Sequence, residues 1–388
     1  MGSNGPIYLD HNATTPMAEQ VLDRYVEVAK TYIGNASSFD HSAGYEAGKI
    51  VNQARDQISK LICCEPKEIY FTSGSTESNN IAILGLISHF RKIGKTELIT
   101  TAIEHPSVLE CFKYMETQDF VVHYVMPNQK GIVATEDIER LMSAKTGLIS
   151  MMAANNETGM YQPYEAVAKL CRKNNILFHC DFSQALALTK LDLRKTEIDL
   201  LSISAHKAYG PKGVGAIYVR AKRPSTKIAS LFYGGGQEKK LRPGTLNTPG
   251  IAAFGKCAEL ISKKQKADIK TQQELKCKLA NGLAEIDGAI INSDLEVSLP
   301  NTFSISISQV NPRALMRSLR DKVIFSASSA CTTDKVEPSH VLTAMFDDEC
   351  RINESFRIGI GRTTTQKDVE DTIKLFKEHV AELRTDYI

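Results

Sequence analysis

Nine cysteines, at Cys63, Cys64, Cys111, Cys171, Cys180, Cys257, Cys277, Cys331 and Cys350, occur without a single C-x-x-C pair. An odd number without that spacing fits reduced, unpaired thiols in a cytoplasm-like compartment rather than a disulfide framework. Most are expected to be small core residues, and no metal site is read from them. No run is long and apolar enough to span a bilayer, so no membrane partner is expected. The start, "MGSNGPIYLD", has no basic stretch followed by an apolar one, which excludes a secretory signal. Its Met-Gly beginning carries Pro6 where a myristoylation motif needs Ser or Thr. Charge of one sign is also missing. A net charge of +2 argues neither for nor against nucleic acid or membrane. The densest basic run, "KKQK" at 263–266, reads as a solvated helix face. No direct nucleic-acid binding is expected. Repeats and low-complexity segments are absent.

What remains is a chain of 388 residues, 42% hydrophobic and 24% charged, long enough for two or three domains. Helical spacing of apolar residues marks 17–32, 43–62 and 164–175. Strand-like runs fall at 68–74, 96–105, 120–126, 146–159, 176–181 and on either side of the turn at 205–215. "STESNNIAILGLISHF" reads as one helix with a hydroxyl-rich start. Strand–helix alternation predicts an α/β domain around a largely parallel sheet. Beyond about residue 250 the texture changes to a long helix, 250–286, then strands at 301–308 and 354–361 and a final helix over 366–384. This predicts a large domain over 15–260 and a smaller α/β domain built from 1–14 and 261–388. The strand "IYLD" (7–10) is assigned to the second because it has no neighbour in the first.

In a parallel sheet, ligands collect outside the carboxyl ends of the strands. Those ends carry Ser75 and Thr76, His105, Asn155 and Asn156, Asp181 and Gln184, and Ser204, His206 and Lys207. Each has a structural explanation when taken singly: Thr76 as a helix cap, Asp181 as a turn residue, His105 as a satisfied polar histidine. A set confined to one edge points instead to a ligand. A lysine near an aspartate suits pyridoxal phosphate, whose ring nitrogen is kept protonated by an acidic partner. Hydroxyls and backbone N–H groups at a helix N-terminus suit its phosphate. His105 could stack on the ring and move protons. A phosphate-binding P-loop is excluded, since "YGPKGVG" has neither the order nor the spacing of G-x-x-x-x-G-K-[ST].

"YLDHNATTP", "FTSGSTESNN", "EH" at 104–105, "NNETG", "HCDFSQ", "SAHKAYGPKGVGAIYVR", "GGGQEKKLRPGT" and "SSACTT" follow one another from residue 7 to about 380. In this order they resemble the cysteine desulfurases of the NifS/IscS type, fold-type I pyridoxal-phosphate enzymes of the class-V aminotransferase group. The resemblance implies a large domain with a mostly parallel seven-stranded sheet and a smaller C-terminal domain. It implies that Lys207 holds the cofactor covalently, that Asp181 pairs with the pyridine nitrogen and Gln184 with the ring hydroxyl, and that His105 stacks and acts as acid/base. Ser75, Thr76, Ser204 and His206 would bind phosphate, with Thr245 coming from the second subunit of a homodimer. Asn156 would sit near cofactor or substrate, and Arg357 would clamp the substrate carboxylate, a task suited to a guanidinium.

Cys331 lies in "FSASSACTTDKVEPSH" (325–340), a run of small and polar residues that reads as a mobile loop. By resemblance it is the nucleophile that takes sulfur from L-cysteine as a persulfide and releases alanine. Its thiolate would be favoured by an electropositive pocket of Lys207, His105 and Arg357. The sulfur would pass to an acceptor protein, serving iron–sulfur cluster assembly, tRNA thiolation or DNA phosphorothioation. A selenocysteine lyase or another class-V enzyme is the alternative. Departures from the usual pattern are His11-Asn12, Ala36, Phe182-Ser183 and Pro243. None removes a catalytic group. The end, "ELRTDYI", lacks the extension with which housekeeping members dock a scaffold.

Overall fold

The computed structural model describes residues 5–221, 227–328, 330–332 and 335–385, with the backbone path only for 330–332 and 335–336. The strands are β1 (Ile7–Tyr8), β2 (Ile69–Thr72), β3 (Glu97–Thr101), β4 (Val121–Val125), β5 (Thr146–Ser150), β6 (Leu177–Asp181), β7 (Leu200–Ser204), β8 (Gly215–Val219), β9 (Ala289–Ile291), β10 (Thr302–Ile307), β11 (Val323–Ile324), β12 (Ser326–Ala327), β13 (Ala330–Thr332), β14 (Lys335–Glu337) and β15 (Ser355–Gly359). The helices used below are α1 (Glu19–Thr31), α2 (Ser42–Ile62), α3 (Ser75–Leu84), α4 (Ile87–Ile93), α5 (Pro106–Glu116) and, further along, the 37-residue α-helix Thr248–Ala284.

Seven strands form the central sheet in the order β2-β8-β7-β6-β5-β3-β4. Only β8 runs against its neighbours. The sheet is therefore mostly parallel, as expected. Strands β5, β6 and β7 are buried along their whole length. Burial on both faces explains why they read as near-continuous apolar runs instead of alternating ones. Phe178, Ile149, Ile203 and Ala216 lie in the core on one side, and Leu148, Leu177, Leu200 and Ile217 in the core on the other.

A second sheet, β12-β15-β10-β9, has its own core of Phe303, Phe325, Phe356 and Phe376. Three of these rings, Phe325, Phe356 and Phe376, pack on one another at 5.0–5.6 Å between centroids. The N-terminal strand belongs on this side. β1 pairs in parallel with β11, and Asp10 bridges to Gly359. No helix among the described residues is long and apolar enough to cross a membrane.

One expected helix is two. The run after residue 75 breaks between α3 and α4 at Gly85. The chain at 228–229 crosses there: the Ala229 N–H donates to the Gly85 carbonyl at 2.8 Å, and a Cβ on Gly85 would stand 2.5 Å from the Ile228 side chain.

The "GGGQEKKLRPGT" segment has a different constraint. Glu238, Lys239 and Lys240 take positive φ in succession, at 46°, 54° and 68°. L-residues adopt this region at a cost of about 1–2 kcal/mol each. Glu238 supplies the compensation. Its carboxylate is buried, accepts two bonds from Arg55 of α2 at 2.6 and 2.9 Å, and accepts the Phe71 N–H of β2 at 2.8 Å. Removing one partner of a buried pair costs about 3–5 kcal/mol. Glu238→Ala is therefore expected to lower the unfolding free energy by about 3 kcal/mol, measured by urea denaturation. A loss under about 1 kcal/mol would show that the pair does not hold this segment.

Candidate active site

Asp181 ends β6, and the neighbouring β7 ends at Ser204, three residues before Lys207. The β6–β7 register sets Asp181 opposite Ser202, so the carboxylate and the turn carrying Lys207 share one edge. Asp181 is 8% exposed. Its Oδ1 accepts the Ser183 N–H and its Oδ2 the Asn79 amide, both at 2.9 Å. Burial works against its charge. The bonds from Ser183 and Asn79, with the Lys207 cation, outweigh burial and hold the carboxyl below its ordinary range.

The Lys207 amine donates to none of the described residues and is half-buried. Burial lowers its pKa to about 8, Asp181 pulls in the opposite direction, and Arg357 adds to the lowering. Near neutral pH Lys207 is therefore a cation facing an ionised carboxylate, and it gives up its proton at a lower pH than an ordinary lysine.

His105 caps the N-terminus of α5, its Nδ1 accepting the Ser107 N–H at 3.1 Å. An accepting Nδ1 leaves the ring proton on Nε2. Burial and the Lys207 charge lower its pKa to about 4, so the ring is neutral. The sequence reading counted His105 among the groups that make an electropositive pocket. The positive charge rests instead on Lys207 and Arg357. Ser107 Oγ lies 2.8 Å from His105 Nδ1 and accepts the Asn79 amide at 2.9 Å. One amide therefore links the Asp181 carboxylate to the His105 ring.

Ser75 and Thr76 open α3, directly after Gly74, whose φ of +154° and ψ of −178° are open to glycine alone. The first N–H groups of α3 have no intrahelical partner. Ser204 Oγ is buried with no hydrogen-bond partner among the described residues, 3.9 Å from where a Gly74 Cβ would stand. His206 is half-buried, lies 3.2 Å from Thr14 Oγ1, and is lowered to about 4 by burial, Lys207 and Lys212. Hydroxyls and open N–H groups thus gather where a phosphate would be accepted. Thr245 is exposed, and its side chain makes no hydrogen bond to the described residues. The nearby Arg242 is tied to Glu77 in the first turn of α3 at 2.7 Å.

Arg357 of β15 comes from the second sheet. Its Nη2 pairs with Asp10 at 2.8 Å and its Nη1 donates to the Asn156 carbonyl at 3.1 Å, leaving Nε buried with no hydrogen-bond partner among the described residues. Gln184 donates its amide to the Asn12 carbonyl at 3.0 Å. Asn155 is structural: its amide oxygen accepts the N–H groups of Glu157 and Thr158 and its amide nitrogen reaches the Ile103 carbonyl. Cys331 lies in β13, its backbone paired opposite Val336 of β14. Its side chain is outside the described residues.

Sequence reasoning missed Asn79, Ser107 and Asp10. Asn79 was detectable, since it follows Ser75 by one helical turn and so lies on the same face of α3. His340 was also missed; its Nε2 donates to the Glu104 carbonyl at 2.9 Å, next to His105. Glu104 itself is fully buried and raised to about 8 by burial, so it is a neutral acid.

In protein freed of any cofactor, Lys207 should react with an acetylating reagent half-maximally near pH 8, against an ordinary lysine value of 10.5. The Asp181 charge favours the ammonium form, so Asp181→Asn should move that midpoint lower still. Competitive acetylation read by peptide mass checks both. A midpoint near 10.5 in the wild type would contradict the burial argument.

Comparison with known proteins gives one family. Residues 7–371 match the aminotransferase class-V family. A mitochondrial cysteine desulfurase of Candida albicans is 41% identical over 381 residues, covering 98% of this chain and 78% of that protein. Among solved structures, a NifS-like protein has a TM-score of 0.90 at 36% identity, covering 97% of this chain and 99% of that one. SspA in complex with cysteine has a TM-score of 0.80 at 32% identity, covering 92% and 100%.

Proposed function

This chain belongs to the class-V aminotransferase family, among its cysteine desulfurases, and we propose that it is a pyridoxal-phosphate-dependent enzyme taking sulfur from L-cysteine. The observation that carries the reading is the lowered, half-buried Lys207 amine beside an Asp181 carboxylate kept ionised. The residues fit the cofactor. Lys207 is a free amine for the covalent link. Asp181 is a permanent acceptor for a proton on a pyridine nitrogen. Ser204, with no hydrogen-bond partner among the described residues, joins Ser75, Thr76 and His206 as a phosphate cradle. When bound, the cofactor supplies an electron sink for the α-carbon of an amino acid.

The chain's own groups then divide the work. Arg357 retains an Nε–H with no partner among the described residues for a substrate carboxylate, and Asp10 and the Asn156 carbonyl orient its guanidinium. Lys207, with a pKa of about 8, accepts and returns a proton near working pH. His105, neutral with its proton on Nε2, offers that proton as a hydrogen bond. Gln184, fixed by Asn12, would meet the ring hydroxyl. The Cys331 thiolate attacks the substrate sulfur: a sulfur–sulfur bond forms, the carbon–sulfur bond breaks with its electron pair going to the β-carbon, that carbon takes up a proton, and alanine leaves. The persulfide passes to an acceptor thiol of a partner protein, a cluster scaffold or a thiolation enzyme.

The same reading includes a large body over 15–260, a second over 1–14 and 261–388, and a homodimer. Exposed Phe39, Phe232 and Tyr233 supply apolar surface for a second copy, with Thr245 exposed in the following segment. The Candida albicans relative is mitochondrial, so the expected cytoplasm stands beside the mitochondrion as a second candidate, and fractionation separates them.

The test is alanine formed from L-cysteine with a reductant, for wild type, Cys331→Ala and Lys207→Ala. Wild type should form alanine, and each variant should lose at least about a hundred-fold. Equal alanine from wild type and Cys331→Ala would remove the thiol from the reaction.

A further inference from the structure

The turn carrying Lys207 is gripped from several sides. The His206 carbonyl accepts both the N–H and the hydroxyl of Thr15, each at 2.8 Å. The Tyr209 N–H donates to that same Thr15 oxygen at 2.7 Å. The Ala208 carbonyl accepts the Cys257 thiol at 2.7 Å, and the Tyr209 carbonyl accepts the Ala18 N–H at 3.1 Å.

Within this turn Tyr209 has φ +65°. A bulky L-residue holds the left-handed region only when its surroundings compensate. The compensation here sits on the ring. The Arg362 guanidinium lies 4.1 Å from the ring centroid, and the Arg362 N–H donates to the phenol oxygen at 2.9 Å. Arg362 is itself paired with Asp268 of the helix Thr248–Ala284, at 2.8 Å through Nε and 2.7 Å through Nη2. It follows the strand that carries Arg357 by three residues. One aromatic residue therefore joins the Lys207 turn to the second sheet and to the long helix.

We propose that Tyr209 is a positioning residue for Lys207: the grip of Arg362 on its ring and hydroxyl maintains the left-handed backbone, and that backbone sets where the Lys207 amine stands relative to Asp181. The inference rests on the reading of Lys207 as the cofactor's lysine.

Tyr209→Phe keeps the ring and its stacking and removes the hydroxyl, which accepts the Arg362 backbone N–H and faces the Gln272 side chain. Tyr209→Gly accepts the left-handed backbone without strain but loses the ring. Two readouts are taken on each. The first is the pyridoxal phosphate concentration that half-labels Lys207 after borohydride fixing, read by peptide mass. The second is the acetylation rate of Lys207 in cofactor-free protein, relative to the exposed Lys49. For Tyr209→Phe the half-labelling concentration should rise about five-fold, the worth of one hydrogen bond. The relative acetylation rate should change as well, and Tyr209→Gly should exceed Tyr209→Phe in both. If both variants keep both values within about two-fold of wild type while only their melting temperatures fall, Tyr209 is structural and the proposal is overturned. A wild-type Lys207 that takes up no pyridoxal phosphate would overturn the cofactor reading, and the acetylation ratio would still decide Tyr209.

Discussion

Keeping a carboxylate ionised at 8% exposure is the constraint from which the site follows. Buried charge is tolerated only with hydrogen bonds and a partner of opposite sign. Asp181 receives one bond from the turn behind it, at Ser183, and one from α3, at Asn79. The second requires α3 to begin where β2 ends, which the glycine-only backbone of Gly74 permits. The partner of opposite sign, Lys207, follows from the adjacent strand. Helix start, strand order and lysine turn are thus all placed around one charge. Asn79 then carries the constraint to Ser107 and the ring of His105.

The charges around Asp181 are few. His105, His206 and the buried His179 are each lowered to about 4, burial being the largest cause in every case. Glu104 is raised to about 8 and stays protonated. A second buried acid, Glu157, is also raised by burial and shares a hydrogen bond with Ser339. The charged pairs at the site are Asp181 with Lys207, and Asp10 with Arg357. Neutral histidines do not compete with Lys207 for the Asp181 charge. A cationic His105 would repel the ammonium form of Lys207 and draw off part of that carboxylate's field.

The large sheet was legible in the sequence because its strands are buried on both faces and end in polar groups at one edge. Asp181, Lys207, His105 and Ser204 stood out for the same reason: each interrupts an apolar run where a buried strand stops. Partners across long sequence gaps were not legible. Asp10 meets Arg357 only because β1 pairs with β11 and Asp10 bridges to Gly359, two residues along the strand from Arg357. Periodicity carries no information about such pairings. The break at Gly85 was hidden in the same way, because its cause is the chain at 228–229 crossing the helix. The neutrality of His105 could not be read either, since burial and the nearness of Lys207 are properties of the folded chain.

The site also draws on both sheets, and this limits how far they can move apart without consequence. The guanidinium of Arg357 is anchored to Asp10 on its own side and to the Asn156 carbonyl on the other. Gln184, just beyond β6, donates to the Asn12 carbonyl, and the Asn12 amide in turn donates to Thr302 of β10 at 2.6 Å. Thr15 grips the Lys207 turn from the segment that follows β1, and Tyr209 grips Arg362. A displacement between the sheets strains several hydrogen bonds that end on groups assigned to cofactor or substrate. Packing alone would allow a gradual shift of apolar surfaces. Directional bonds to the lysine turn and to Arg357 convert such a shift into loss of the arrangement around Asp181.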